Sequence, residues 1–175
     1  MKHVLEGPDG LQEPVTLALL TYRFIPMANV LLISGSVFGA ATLTADEIES
    51  SLDESGHTVT RPEEPDIEAL TDETQEWLIV CTSSTGNGDL PEELTSLYQG
   101  LLNDYPKIIH LKFAVVALGD SSYETFCGGG LSIDAALADL GATRMADPFK
   151  IDAMEVTEPE AIAPDWVLSV MNGTL

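Results

Sequence analysis

Three glycine-broken polar segments each follow an apolar run, and their side chains together suit a ligand that carries a phosphate, a polyol and a flat ring. The first, Ser34 to Ala41, reads SGSVFGAA and leads into a stretch of helical periodicity. Successive backbone amides there, with the dipole of the helix that follows, can receive a phosphate without any lysine. Its candidates are Ser34, Gly35, Ser36, Val37, Phe38, Gly39, Ala40 and Ala41. Ser36 adds a hydroxyl, and Gly35 and Gly39 allow close approach and unusual dihedrals. Taken alone, GSVFG also reads as an ordinary tight turn.

The second segment, TSSTGNGDL, sets the hydroxyls of Thr82, Ser83, Ser84 and Thr85 before Gly86, Asn87 and Gly88. Short hydroxyls can pair with a polyol, and the glycines let main chain approach a ring edge, although an exposed turn is the plainer reading. Asp89 either points at the ring or caps a helix beginning near Pro91, and capping is the simpler expectation. In the third segment, LGDSSYETFCGGG from Leu118 to Gly130, Gly119 and Asp120 turn the chain. Tyr123 either stacks on an aromatic ligand or covers the edge of the core. Phe126 reads first as a packing anchor. Cys127 has no histidine near it in sequence and is not expected to act as a nucleophile.

Other chemistries lack their parts. No GK[ST] follows the first glycines and no GxGxxG is present, which argues against a nucleotide-hydrolysing loop and a dinucleotide fingerprint. His3, His57 and His110 offer neither a triad nor a metal cluster. Cys81 and Cys127 form no CxxC spacing.

The elements that must position these loops alternate between short apolar strands and helices. Val30 to Ile33 reads as a strand buried on both faces, and Ala41, Ala45, Ile48 and Leu52 mark a helix ending near Gly56. Val59 belongs to a second short strand, Ile67 to Leu70 to a brief helix, and Trp77 to Cys81 to a third strand. Pro91 sits in the first turn of the next helix, whose inner face is Leu94, Leu97, Tyr98, Leu101 and Leu102. A fourth strand covers Leu111 to Leu118, and Ile133, Leu137 and Leu140 mark a helix that stops at Gly141. A weaker strand around Arg144 to Ile151 and a closing helix with Trp166, Val167 and Val170 complete an α/β domain with a parallel sheet. All three loops then fall on the strand C-terminal edge, where such sheets bind ligands.

A chain of 175 residues, 45% hydrophobic and 6% aromatic, supports one domain with a Leu, Ile, Val and Ala core. The balance of 29 acidic to 7 basic residues, a formal charge of -22, sets aside nucleic acid and anionic membranes. It favours a basic protein partner, and with four lysines it also fits a saline medium. Residues 1–27 read as an extension outside the core domain of 28–175. Val15 to Met27 is too short and too interrupted to span a bilayer, a secretory leader is not recognisable, and Met27 is a candidate translation start. A cytoplasmic setting is expected.

The loop sequences STGNGDLPEEL at 84–94 and ALGDSSYETFCGGG at 117–130 resemble the short-chain flavodoxin-like flavoproteins of the MioC and YqcA type, with loops also like the FMN domains of diflavin reductases. The resemblance covers residues 28–175. It implies a flavodoxin-like three-layer α/β/α sandwich whose five-stranded parallel sheet has the order 2-1-3-4-5, in the short form that lacks an insertion in the fifth strand. It further implies FMN, with Ser36 through Ala41 around the phosphate, Thr82 to Thr85 approaching the ribityl chain and ring, Gly86 to Asp89 bordering the ring, and Leu118 to Asp120 with Tyr123, Phe126 and Cys127 completing the pocket. Phe38, Ala40 and Ala41 depart from the hydroxyls and asparagine that the family places there, which predicts weaker phosphate binding. The implied role is one-electron transfer from a basic NADPH-dependent flavodoxin or ferredoxin reductase to an acceptor redox enzyme, biotin synthesis being one such route. The competing expectations are a binding or regulatory module without redox flux and an NAD(P)H-dependent reductase of a small substrate such as a quinone.

Overall fold

A computed structural model describes residues 27–175; the expected N-terminal extension lies, apart from Met27, outside the described residues. Each long strand is apolar on both sides, so it can be satisfied only in a sheet covered on both faces. β1 (Asn29–Gly35), β3 (Trp77–Ser83) and β4 (Lys112–Gly119) form that centre, and the short β2 (Thr58–Thr60) pairs with β1. All pairings are parallel, in the order β2-β1-β3-β4 and then the fifth strand. This is the expected 2-1-3-4-5 order.

The fifth strand comes in two pieces, β5 (Thr143–Arg144) and β6 (Phe149–Asp152), both parallel to β4. Phe113 faces Arg144 while Val116 faces Phe149, so the outer strand takes more residues than β4 over the same span. The weak apolar pattern of Arg144 to Ile151 reflects that break.

Strand alternation divides the core in two. Leu31, Ile33, Leu78, Val80, Phe113 and Val115 face α3 (Glu92–Asp104) and α4 (Gly128–Asp139), with the brief α2 (Ile67–Thr71) adding Leu70. Val30, Leu32, Ile79, Ala114 and Val116 face α1 (Ala40–Glu54) and α5 (Ala163–Met171). Two details differ from expectation. Leu102 is 44% exposed, since Leu94, Leu97 and Leu101 already fill the buried stripe of α3. Pro91 stands just outside that helix, in an extended conformation at its N-cap. Among the described residues no helix is long and apolar enough to cross a membrane.

Candidate functional site

The strand order reverses between β1 and β3, and the loops leaving β1, β3, β4 and β6 surround one crevice at the strand C-terminal ends. Its cavity, about 620 Å³, has the size and mixed lining of a cofactor site.

At the β1 end, Gly39 adopts φ +87° and serves as the N-cap of α1. No side chain caps that helix from the Gly39 position; instead the Ala41 amide donates to Ser36 Oγ at 3.1 Å. The Ser36 hydroxyl proton is thereby left to point elsewhere. The amides of Val37, Phe38, Gly39 and Ala40 have no acceptor among the described residues. An anion is the natural partner for such a nest at a helix N-terminus. Phe38 and Ala40 line the cavity, with Phe38 95% exposed at the rim. Ser34 and Gly35 lie behind the loop: Ser34 Oγ accepts from Arg61, and a Cβ on Gly35 would strike Leu94 at 2.6 Å. The close approach at Gly35 is therefore helix packing. Ala41 is buried against the α1 side of the core.

The loops after β3 and β4 hold each other. Thr85 and Asp89 pair antiparallel across a tight turn. Gly88, at φ +89°, comes so near the third loop that a Cβ would lie 2.7 Å from the Thr125 carbonyl oxygen, and a Cβ on Gly128 would lie 2.7 Å from the Gly88 oxygen. Ser84 strengthens the join, its amide donating to the Leu118 carbonyl and its Oγ accepting from Gly129 N. Ser83, Ser84, Gly86 and Gly88 line the cavity. Thr82 does not reach it: the residue is fully buried and its hydroxyl lies 3.3 Å from the Gly35 carbonyl and 3.1 Å from that of its neighbour Ser83, either of which can accept its proton. Thr85, Asn87 and Asp89 are not among the residues that line the cavity, and neither are Ser36, Val37 and Gly39, whose polar groups sit beyond Phe38 and Ala40 at its β1 end. Asp89 does not cap α3, whose N-terminus carries no side-chain cap; its main chain closes the turn.

From the third loop Leu118, Gly119, Asp120, Tyr123, Phe126 and Cys127 all reach the cavity. Tyr123 is 60% exposed, so its ring forms an open wall and does not cover the core. Phe126 both packs on the core and lines the site, with Lys150 Nζ 6.0 Å from its ring centre. Asp120 Oδ1 accepts from the amide and hydroxyl of Ser122. Burial pushes the Cys127 thiol up to about 11, against the opposing charge of Lys150, and its Sγ donates to the Ala117 carbonyl. A protonated, hydrogen-bonded thiol is a packing group.

The crevice has a fourth wall that the sequence pattern does not announce. Ile151, Ala153, Val156, Thr157 and Pro159, from β6 and the loop after it, close the crevice, and Thr125 adds a hydroxyl from the third loop. Asp152 ties this wall to the third loop, its Oδ1 accepting from the amides of Ser121 and Met154 at 3.0 Å. The Ser121 hydroxyl first, and then the amides of Met154 and Ser121, hold its carboxyl below the usual range. Membership in the fifth strand was the available signal, because every strand of a parallel sheet ends at the same edge.

The flavodoxin family model matches residues 32–166. The chain belongs to the flavodoxin family. It is 40% identical over 141 residues to flavodoxin YqcA of Pectobacterium carotovorum subsp. carotovorum, which covers 81% of this chain and 93% of that one. Protein MioC of Escherichia coli O157:H7 is 32% identical over 146 residues, covering 83% and 98%. The structure of a cysteine-to-serine mutant of flavodoxin from Pseudomonas aeruginosa superposes with a TM-score of 0.76 at 31% identity, covering 83% of this chain and 98% of that one. This flavodoxin is thus of the short type and its cofactor is FMN. The crevice fits it: free amides and Ser36 for the phosphate, the hydroxyls of Ser83, Ser84 and Thr125 for the polyol, and Leu118, Tyr123 and Phe126 for the ring. When bound, FMN supplies reversible one-electron exchange, and the role of the protein is electron transfer.

Proposed function

We propose that this flavodoxin carries electrons from a basic, NADPH-dependent flavodoxin or ferredoxin reductase to an acceptor redox enzyme. The observation that carries this reading is a crevice equipped to hold a cofactor but offering, among the described residues, no group to act on a substrate. The Cys127 thiol stays protonated, one oxygen of the Asp120 carboxylate is held by Ser122, and no described histidine lines the cavity to pair with it as an acid or base. The chain therefore binds and orients, while the exposed Tyr123 leaves one flank open to a partner.

The formal charge of -22 supports the choice of a basic partner, because an acidic field attracts such a surface and repels other anionic proteins. The same field disfavours added negative charge on the cofactor, so raising ionic strength is expected to raise the potential of the second reduction.

The test is NADPH oxidation followed with the FMN-loaded protein alone and then with a flavodoxin reductase. No turnover alone, with prompt flavin reduction on adding reductase at a rate that falls with salt, is the expected result. Rapid NADPH oxidation by the protein alone would overturn the carrier reading.

A further inference from the structure

Arg61 lies just beyond β2, its side chain only 17% exposed, and its guanidinium reaches back to the first loop. Nη1 donates to Asp46 Oδ1 at 2.6 Å and to Glu49 Oε2 at 3.0 Å, both on α1. Nη2 donates to Ser34 Oγ at 3.1 Å and to the Thr42 carbonyl at 3.4 Å. Ser34 stands near the end of β1 and Thr42 in the first turn of α1. One nitrogen therefore bridges both ends of the segment that presents the free amides of Val37 to Ala40 and the Ser36 hydroxyl.

Two carboxylates, Asp46 and Glu49, outweigh the single guanidinium charge, so the cluster offers a phosphate no net attraction and the contribution of Arg61 is geometric. A planar fork can serve several acceptors in fixed directions, which a lysine ammonium on a flexible stem cannot. This matters because Phe38, Ala40 and Ala41 supply no side-chain donors. Phosphate affinity then depends on main-chain amides being held at the right spacing, and backbone donors bind an anion well only when pre-organised.

We propose that Arg61 is a positioning residue for the phosphate loop: it fixes the separation of the β1 and α1 ends and so sets phosphate affinity without touching the cofactor. This rests on the loop at 36–41 being the FMN phosphate site. The decisive comparison is titration of the apo-protein with FMN and with riboflavin, which lacks the phosphate, for the wild type, Arg61→Met, Arg61→Lys and Ser34→Ala. Arg61→Met is expected to weaken FMN by about tenfold or more, the loss of one charge-assisted contact, while riboflavin changes less than about twofold. Arg61→Lys should recover less than half of that loss in free energy.

Equal FMN affinity in Arg61→Met, an equal loss of FMN and riboflavin, or full rescue by lysine would overturn the inference. Should Arg61→Met fail to fold, Ser34→Ala keeps both ion pairs and removes one end of the bridge. A loss confined to FMN then sustains the proposal, and unchanged FMN affinity overturns it. A wild type that binds FMN and riboflavin equally would instead show that 36–41 is not the phosphate site, and the inference would fall with that assignment.

Discussion

At the β1 end of the crevice a ligand meets main chain, whereas at the β4 end it meets side chains. Free amides and a single serine form the first region, and the chain there is held from behind by Arg61. Tyr123, Phe126, Leu118 and a set of hydroxyls form the second, where two loops lock together through Gly88 and Gly128. Charge is well served by fixed backbone dipoles, which need little from residue identity. A flat ring needs surface area and shape, which only side chains and glycine-permitted contacts supply.

The sharpest way to break this division is Gly88→Ala. Its methyl would meet Thr125 and its backbone would keep a positive φ, together costing roughly 2–4 kcal/mol. Urea unfolding of the apo-protein measures that cost, and FMN and riboflavin binding should fall together. Ser36→Ala acts at the other end. Losing a charge-assisted donor and the support of the Ala41 amide should weaken FMN by about 1.5–3 kcal/mol, with riboflavin unchanged. Tyr123→Ala is expected to show no such selectivity, weakening both ligands alike by about 1–2 kcal/mol in fluorescence titrations.

The smallest effect lies at the opposite edge of the sheet, where His57 Nδ1 accepts from Ala28 N at 3.2 Å. Burial lowers the His57 pKa below 6.5, with Glu76 opposing. The unfolded chain then binds the proton more readily, so the contribution of His57 is intact above pH 6.5 and is lost as pH falls from there through its lowered value. Denaturation midpoints should drop over that window in the wild type and flatten in His57→Asn. FMN affinity should not follow, because His57 does not line the crevice.

This difference between the two ends also governs what could be read from the residues alone. The ring end was legible because TGNGDL and GDSSYETFC contain aromatic, hydroxyl and glycine positions whose chemistry is local. The phosphate end was legible in place, through the strand-to-helix transition at Ser34 to Ala41, but not in mechanism, since Arg61 reaches it only through the pairing of β2 with β1. Thr82 was misplaced for a related reason: strand alternation turns its hydroxyl toward Gly35, away from the cavity. The wall at 151–159 is not legible in the residues because the split fifth strand weakens the apolar pattern that would announce its end. Strand and helix placement followed from periodicity wherever segments were long and apolar on both faces, while the order of the strands came with the family resemblance of the loops.

The two outermost strands carry a consequence of their own. On one side stands β2, three residues long, and on the other a strand cut into pieces of two and four. Among the described residues neither margin presents a long, flat row of free peptide groups to a neighbouring molecule. In dilute buffer, mutual repulsion between highly acidic copies would keep them apart in any case. In concentrated salt that repulsion is screened within a few ångströms, and these blunt margins then guard against end-to-end strand recruitment and fibre growth.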